Sequence, residues 1–277
     1  MMRWLKGVGV ARLLLIATGI LVLTVALWPE LFVTHDPTAV DSDSILQSAS
    51  WEHPLGTDEA GADVLARLVH ATQLEVVIAA GSVIIALVIG VPSGLLAGNS
   101  GKLIDGGISS GASAILAFPM VLFAILVVSS FGTTALTLVG IIGFVFAPRV
   151  FVLVRAQTKA LKEREFVVAA RVTGISPRRT MARHVLPNMA GPLFTLIPQL
   201  MAEALLIEAG LSFLGLGVQL PDSTWGTILE SSKDYYVTSP GYAVAAGLTI
   251  TIAAGLLMAS GELAAESFNP LKKRRQK

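Results

Sequence analysis

The chain has 277 residues, 53% of them hydrophobic and only 14% charged, with 20 basic against 19 acidic side chains and no cysteine. Soluble domains carry roughly 25% charged residues, so this composition cannot cover a water-facing surface and predicts an integral membrane protein. The net charge of +1 argues against a nucleic-acid partner, whose phosphates need clustered excess cations, and the lack of cysteine excludes disulfides, thiolate chemistry and cysteine-ligated metal.

A helix crossing about 30 Å of hydrocarbon needs roughly 20 apolar residues. Six segments meet that length, predicting an all-α protein of six transmembrane helices: Leu13–Phe32, Leu74–Ala97, Ile108–Phe131, Thr133–Leu153, Met189–Leu211 and Tyr242–Ser260. The first follows a basic stretch (Arg3, Lys6, Arg12), as a signal peptide does. Its apolar run is long, however, and Trp28, Pro29 and Glu30 stand where small residues would mark cleavage, so it reads as an uncleaved anchor. Basic residues fix the orientation. With both termini in the cytoplasm, 17 of the 20 lysines and arginines fall on the cytoplasmic side; only Arg67 and Lys233 fall outside, and Arg149 sits within the fourth span.

Residues 33–73 form an acidic external loop carrying Asp58 and Asp63. Within it, "DVLARLVH" places Val64, Leu65, Leu68 and Val69 on one helical face behind Asp63 as N-cap, which predicts a short helix on the membrane surface. Gly90, Gly94 and Gly98 repeat every four residues, and Gly107 pairs with Gly111, a spacing that lets helix backbones approach closely. Pro92, Pro119, Pro148 and Pro198 are expected to kink their spans. The fifth span holds Glu203 and Glu208, and intramembrane acids are functional candidates. Five residues apart, they point about 140° from each other, which argues against a shared metal or proton site. Residues 212–241, rich in Gly, Pro and aromatics and including Phe213, Asp222 and Trp225, suit a partly buried re-entrant or interfacial loop.

No catalytic constellation appears. "GNSGKL" at 98–103 lacks the first glycine of a phosphate loop and has Leu103 where Ser or Thr would hold magnesium. The four histidines are scattered, with no i, i+4 pair for a metal. No metal, bound cofactor or enzymatic activity is expected of this chain.

The most polar long stretch, "EFVVAARVTGISPRRTMARHVLPN" (165–188), lies on the cytoplasmic side. Glu165 opens a short helix with an acid where the dipole favours one. Gly174 stands where a left-handed residue ends it. Ser176 and Pro177 restart a second helix as N-cap and first helical residue, expected to stop near His184, before Pro187. Helix, glycine elbow, helix, with small Ala169 and Ala170 at its centre, is a shape that fits a groove in another protein.

"AARVTG" followed by "HVLPN" resembles the cytoplasmic motif of ABC importer permeases, a Glu-Ala-Ala triplet with a glycine four residues on and a Leu-Pro beyond. "HPLGTDEAGAD" (53–63) and "EAGLSFLGLGVQLPDSTWG" (208–226) are similar to two external segments of the C-type permeases of the dipeptide/oligopeptide/nickel group. Val168 stands in place of the triplet's glutamate, and Ala62 in place of an arginine. The resemblance implies a type I ABC importer permease fold, N-in and C-in, in a bacterial cytoplasmic membrane. It divides the chain into an anchor and external loop (1–73), a permease domain (74–265, with coupling loop 158–188) and a basic tail (266–277). It implies a second permease chain, two ATPase subunits that bind ATP and magnesium, and an extracytoplasmic binding protein that delivers di- or oligopeptides, with nickel or haem as alternative cargo. On this reading Glu165, Ala169, Ala170, Arg171, Gly174, Ser176 and Pro187 meet the ATPase. Glu203, Glu208, Phe213 and Trp225 lie along the pathway or its external gate, and Asp58, Asp63 and Asp222 face the binding protein. The rival from another class, an ion-coupled secondary transporter, predicts an inverted repeat and broken midplane helices, neither of which is evident.

Overall fold

The computed structural model describes residues 18–268. Every named element in it is helical. A short apolar helix, α1 (Thr18–Leu27), leads through a single turn at Pro29–Leu31 into the loop that ends at Asp63. Residues 13–17 of the first expected span lie outside the described residues. The long helix α2 (Val64–Asn99) follows, then α3 (Lys102–Ala117), α4 (Met120–Phe131) and α5 (Ala135–Lys162). Beyond α5 come α6 (Glu165–Val172), α7 (Pro177–Thr180), a π-turn (Met181–Val185), α8 (Leu186–Asn188) and α9 (Ala190–Leu211). A second π-turn (Ser212–Leu216), α10 (Trp225–Ser232), one 3-10 turn (Lys233–Tyr235) and α11 (Pro240–Phe268) complete the described chain.

Four helices among the described residues are long and apolar enough to cross a membrane: α2, α5, α9 with its π-turn, and α11. The pair α3–α4 makes a fifth only as a broken span, bent by 87°. The third expected span therefore differs from a single helix. Pro119 clashes with a helical conformation at the residue before it, and Phe118 is accordingly extended (φ −83°, ψ 129°). Helices α2, α5 and α9 instead run on through Pro92, Pro148 and Pro198.

The surface helix expected at Asp63–His70 is not separate. Asp63 caps it as predicted, its carboxylate accepting the Ala66 amide at 2.7 Å, but nothing in the following "ATQL" stops a helix, and the segment is the opening of the 36-residue α2. Its apolar face is turned inward, with Val64 and Leu68 buried.

Helix α2 packs chiefly on α5, and α9 on α11. In lipid, burying an apolar side chain removes it from no water, so close contact has to hold the helices. The four-residue glycine repeat supplies it: a Cβ on Gly90, Gly94 or Gly98 would meet Val150, Val154 or Thr158 of α5 at 2.6–2.8 Å. Gly107 and Gly111 of α3 face open space. At the far end of α5, Asp105 of α3 accepts from Arg155 (Nη2, 2.9 Å) and Lys159 (2.6 Å), tying α3 to α5.

Candidate functional site

Three places concentrate the polar chemistry: the elbow after α5, a cluster beneath α10, and an ion pair between α5 and α9.

The elbow forms as its residues dictate. Helix α6 ends at Gly174, whose φ of +79° is left-handed, and the Ile175 amide bonds back to the Ala170 carbonyl at 3.1 Å. Val167 and Ala170 are buried against the bundle, whereas Glu165, Ala169, Gly174 and Ser176 are exposed, with Phe166 and Val172 adding apolar surface. The Arg171 side chain lies outside the described set. The second helix does not stop before Pro187. Proline has no amide to donate, and the chain passes it by a π-turn in which the Leu186 amide reaches back to Met181, while the Asn188 side chain donates to the His184 carbonyl at 2.6 Å. The elbow is thus continuous with α9 except for one turn at Met189.

Beneath α10 two carboxylates converge. Glu208 of α9 and Glu75 of α2 are both fully buried. One Glu208 oxygen accepts the Ser212 and Thr224 hydroxyls, each at 2.6 Å, and one Glu75 oxygen accepts the Trp225 amide at 2.8 Å. The second oxygen of each carboxylate has no protein donor. Thr224 and Thr227 form a reciprocal capping box that opens α10, and the Trp225 indole donates to the Leu68 carbonyl at 2.9 Å. Trp225 is buried and Phe213 half-exposed, so of the two aromatics expected along the pathway only Phe213 presents surface. Sequence reasoning found Glu208 and missed Glu75, an acid in an apolar run.

Next to this cluster, residues from 37–40, 58–74 and 212–231 line a cavity of about 700 Å³ whose polar lining includes Arg67, His70, Gln73, Asp222 and Thr227. Asp58 and Asp63, expected at a partner surface, are instead used inside the loop. Asp58 is 1% exposed; it accepts the Ala60 and Ala62 amides at 2.8 Å and pairs with Arg67, which also donates to the Tyr242 hydroxyl at 3.3 Å. Asp63, besides capping α2, holds His53 Nδ1 at 2.9 Å. A loop of backbone carbonyls and amides needs such internal acceptors, which turns these two acids inward. Asp222 is exposed. Earlier in the loop that holds Asp58, bonds from the Ser44 hydroxyl and the Asp43 amide hold the Asp41 carboxyl below the usual carboxylate range.

Glu203 stands apart from Glu208, as their helical offset requires, and pairs with Arg149 of α5. The Arg149 guanidinium lies 5.8 Å from the centre of the Phe146 ring. This partner of Glu203 was also missed.

Among the described residues no group of His, Asp and Glu is arranged to hold a metal ion. The model of one family, described as "Binding-protein-dependent transport system inner membrane component", matches residues 90–274. The chain is 34% identical over 257 residues to a di/tripeptide transport system permease protein DppC of Pseudomonas aeruginosa, covering 91% of this chain and 85% of that one. It is 32% identical over 238 residues to a dipeptide transport system permease protein DppC of Alkalihalophilus pseudofirmus (84% and 78% covered). A putative peptide permease protein of Brucella suis is 32% identical over 212 residues (76% and 69%). With two thirds of its length matched to the family and several apolar helices long enough to cross a bilayer, the chain is a multi-pass membrane protein that belongs to the inner membrane components of binding-protein-dependent transport systems.

Proposed function

We propose that this chain is one of two pore-forming subunits of an ATP-driven importer of di- and oligopeptides, in a bacterial cytoplasmic membrane. The observation that carries the mechanism is the elbow: an exposed, glycine-hinged pair of short helices rooted in α5 on one side and continuous with α9 on the other. The names of the similar proteins support peptides over nickel or haem as cargo.

In this reading α1 and the broken pair α3–α4 complete six crossings with both termini in the cytoplasm, and the type I permease arrangement follows. Residues 1–73 hold the anchor, the external loop as far as Asp63 and the opening turns of α2; 74–265 are the permease domain and 266–277 a basic tail, of which 269–277 lie outside the described residues. Two ATPase subunits bind ATP and magnesium and close beneath the pair of permeases. The exposed side of the elbow, with Glu165, Ala169, Gly174 and Ser176, sits in the ATPase groove together with Arg171, and Pro187 lies at the joint to α9. Val168 and Val172, both exposed, make the contact apolar where an ionic one would need a glutamate at 168. Because α7, the π-turn and α8 lead into α9, movement of the elbow is passed to the helix that bears Glu203 and Glu208.

At the other end, a binding protein docks over the cavity lined by Asp222 and delivers substrate past Phe213. Glu208, Glu75 and Trp225 act by holding α10 to α2 and α9 as the outer gate. Asp58 and Asp63 shape the docking loop from within.

Reconstitution tests this reading. The chain, its partner permease, the ATPases and the binding protein in liposomes are expected to accumulate labelled dialanine only with ATP inside the compartment holding the ATPases. Accumulation driven by an ion gradient without ATP would replace it with the secondary-transporter reading.

A further inference from the structure

The ion pair between Arg149 and Glu203 is not explained by packing. Arg149 lies near the middle of α5 and Glu203 near the middle of α9, where a charged side chain is costly to insert into a bilayer. A purely structural pair at that depth is buried and given further hydrogen bonds. Here both side chains are open, 41% exposed for Arg149 and 39% for Glu203. They bridge the seam between two packed layers, since α5 packs chiefly on α2 and α9 on α11. Gln199, one turn from Glu203, is exposed on the same helix. Charges in this position face an aqueous path or another protein chain rather than lipid.

We propose that Arg149 and Glu203 form a transit site for a zwitterionic substrate, a short peptide with free termini. Arg149 takes the substrate's carboxylate and Glu203 its ammonium, so that one internal ion pair is exchanged for two ion pairs to the substrate. An anion alone would occupy Arg149 and leave Glu203 without a counter-charge, and a cation alone would do the reverse; either trades the internal pair for a single contact, with no net gain in ion pairs. Only a ligand bearing both signs satisfies both side chains. The fork of the guanidinium suits a carboxylate, and the Phe146 ring beneath Arg149 gives the cation an aromatic face on its other side. This site rests on the importer reading above and names where, within the chain, the substrate's termini are read.

Saturation-transfer NMR on the complete transporter in nanodiscs, without binding protein, tests it. The probes are dialanine, its N-acetyl derivative, its amide and the doubly blocked form. Wild type is expected to favour dialanine over the doubly blocked form by about tenfold, the size of one good charged contact. Arg149→Gln is expected to abolish discrimination between dialanine and its amide while keeping that against the N-acetyl form, and Glu203→Gln to do the opposite. The double variant Arg149→Gln/Glu203→Gln leaves no unpaired charge, so it assembles even where a single variant does not, and it is expected to lose both preferences. Equal weakening of all four probes, no preference in wild type, or preferences intact in the double variant would overturn the site. ATP-driven uptake of labelled dialanine by the same wild-type complex with its binding protein reads the importer assignment separately. A transporter that imports dialanine yet ignores blocked termini at this site rejects this inference alone.

Discussion

Gly90 of α2 lies against Val150 of α5 so closely that a Cβ on the glycine would stand 2.6 Å from the valine Cβ and 2.7 Å from the Ala147 carbonyl oxygen. Backbone and Cβ cannot swing aside, so Gly90→Ala has to spread the two helices. The expected cost is about 1–3 kcal/mol, seen as a lower melting temperature in detergent-solubilised protein. Gly111→Ala, whose new methyl meets nothing within 4 Å and which replaces glycine in a helix interior, is expected not to lower the chain's own stability.

Glu208→Ala removes the acceptor of two buried hydroxyls, those of Ser212 and Thr224. Each buried donor left unsatisfied costs about 1–3 kcal/mol, so thermal stability is expected to fall sharply. Glu208→Gln keeps an acceptor oxygen and adds an amide donor beside Glu75, and is expected to stay within about 1 kcal/mol of wild type. Equal losses for the two variants in a thermal-shift series would mean that volume, not hydrogen bonding, is what the site requires.

Asp58→Ala strands Arg67 in a site where it is 8% exposed. Removing one partner of a buried ion pair costs about 3–5 kcal/mol. The effect is local, because Asp58 also holds the amides of Ala60 and Ala62. Limited proteolysis is expected to cut residues 37–62 far faster in the variant while α2 stays intact.

Gly174 has open space around it and a φ of +79°. Its requirement is therefore conformational, not steric. Gly174→Ala is expected to strain the elbow by about 1–2 kcal/mol and to lower substrate-stimulated ATPase activity of the assembled transporter. Gly174→Asn, a residue that enters the left-handed region more readily, is expected to retain more of that activity than alanine does.

The parts legible in the sequence are those set by near neighbours. The elbow was readable because Gly174 and Ser176-Pro177 punctuate it locally, and Asp63 announced the start of α2 by the same kind of signal. The close approach of α2 to another helix was also readable from the Gly90, Gly94 and Gly98 repeat, though not which helix would fill it. What was lost depends on contacts distant in sequence. The inward face of Val64 and Leu68 looked like a membrane-binding stripe because the helices it packs against come much later in the chain. Glu75 needed Trp225, and Glu203 needed Arg149, before either acid had a partner. Pro187 misled for a different reason: a π-turn supplies a longer backbone bond that passes a proline, and no residue pattern marks it.

The central claim is that the exposed side of α6 meets an ATPase. Because the chain has no cysteine, a single Val172→Cys gives one defined reactive group on that face. Co-expressed with the partner subunits in native membranes and treated with a short thiol–amine cross-linker, this variant is expected to be captured on an ATP-binding subunit, in an amount that changes when ATP is trapped. Ser231→Cys, at the opposite end of the molecule, is expected to give no such product. Absence of the ATPase adduct at 172 in a complex that still hydrolyses ATP, or its appearance at 231, would contradict the account.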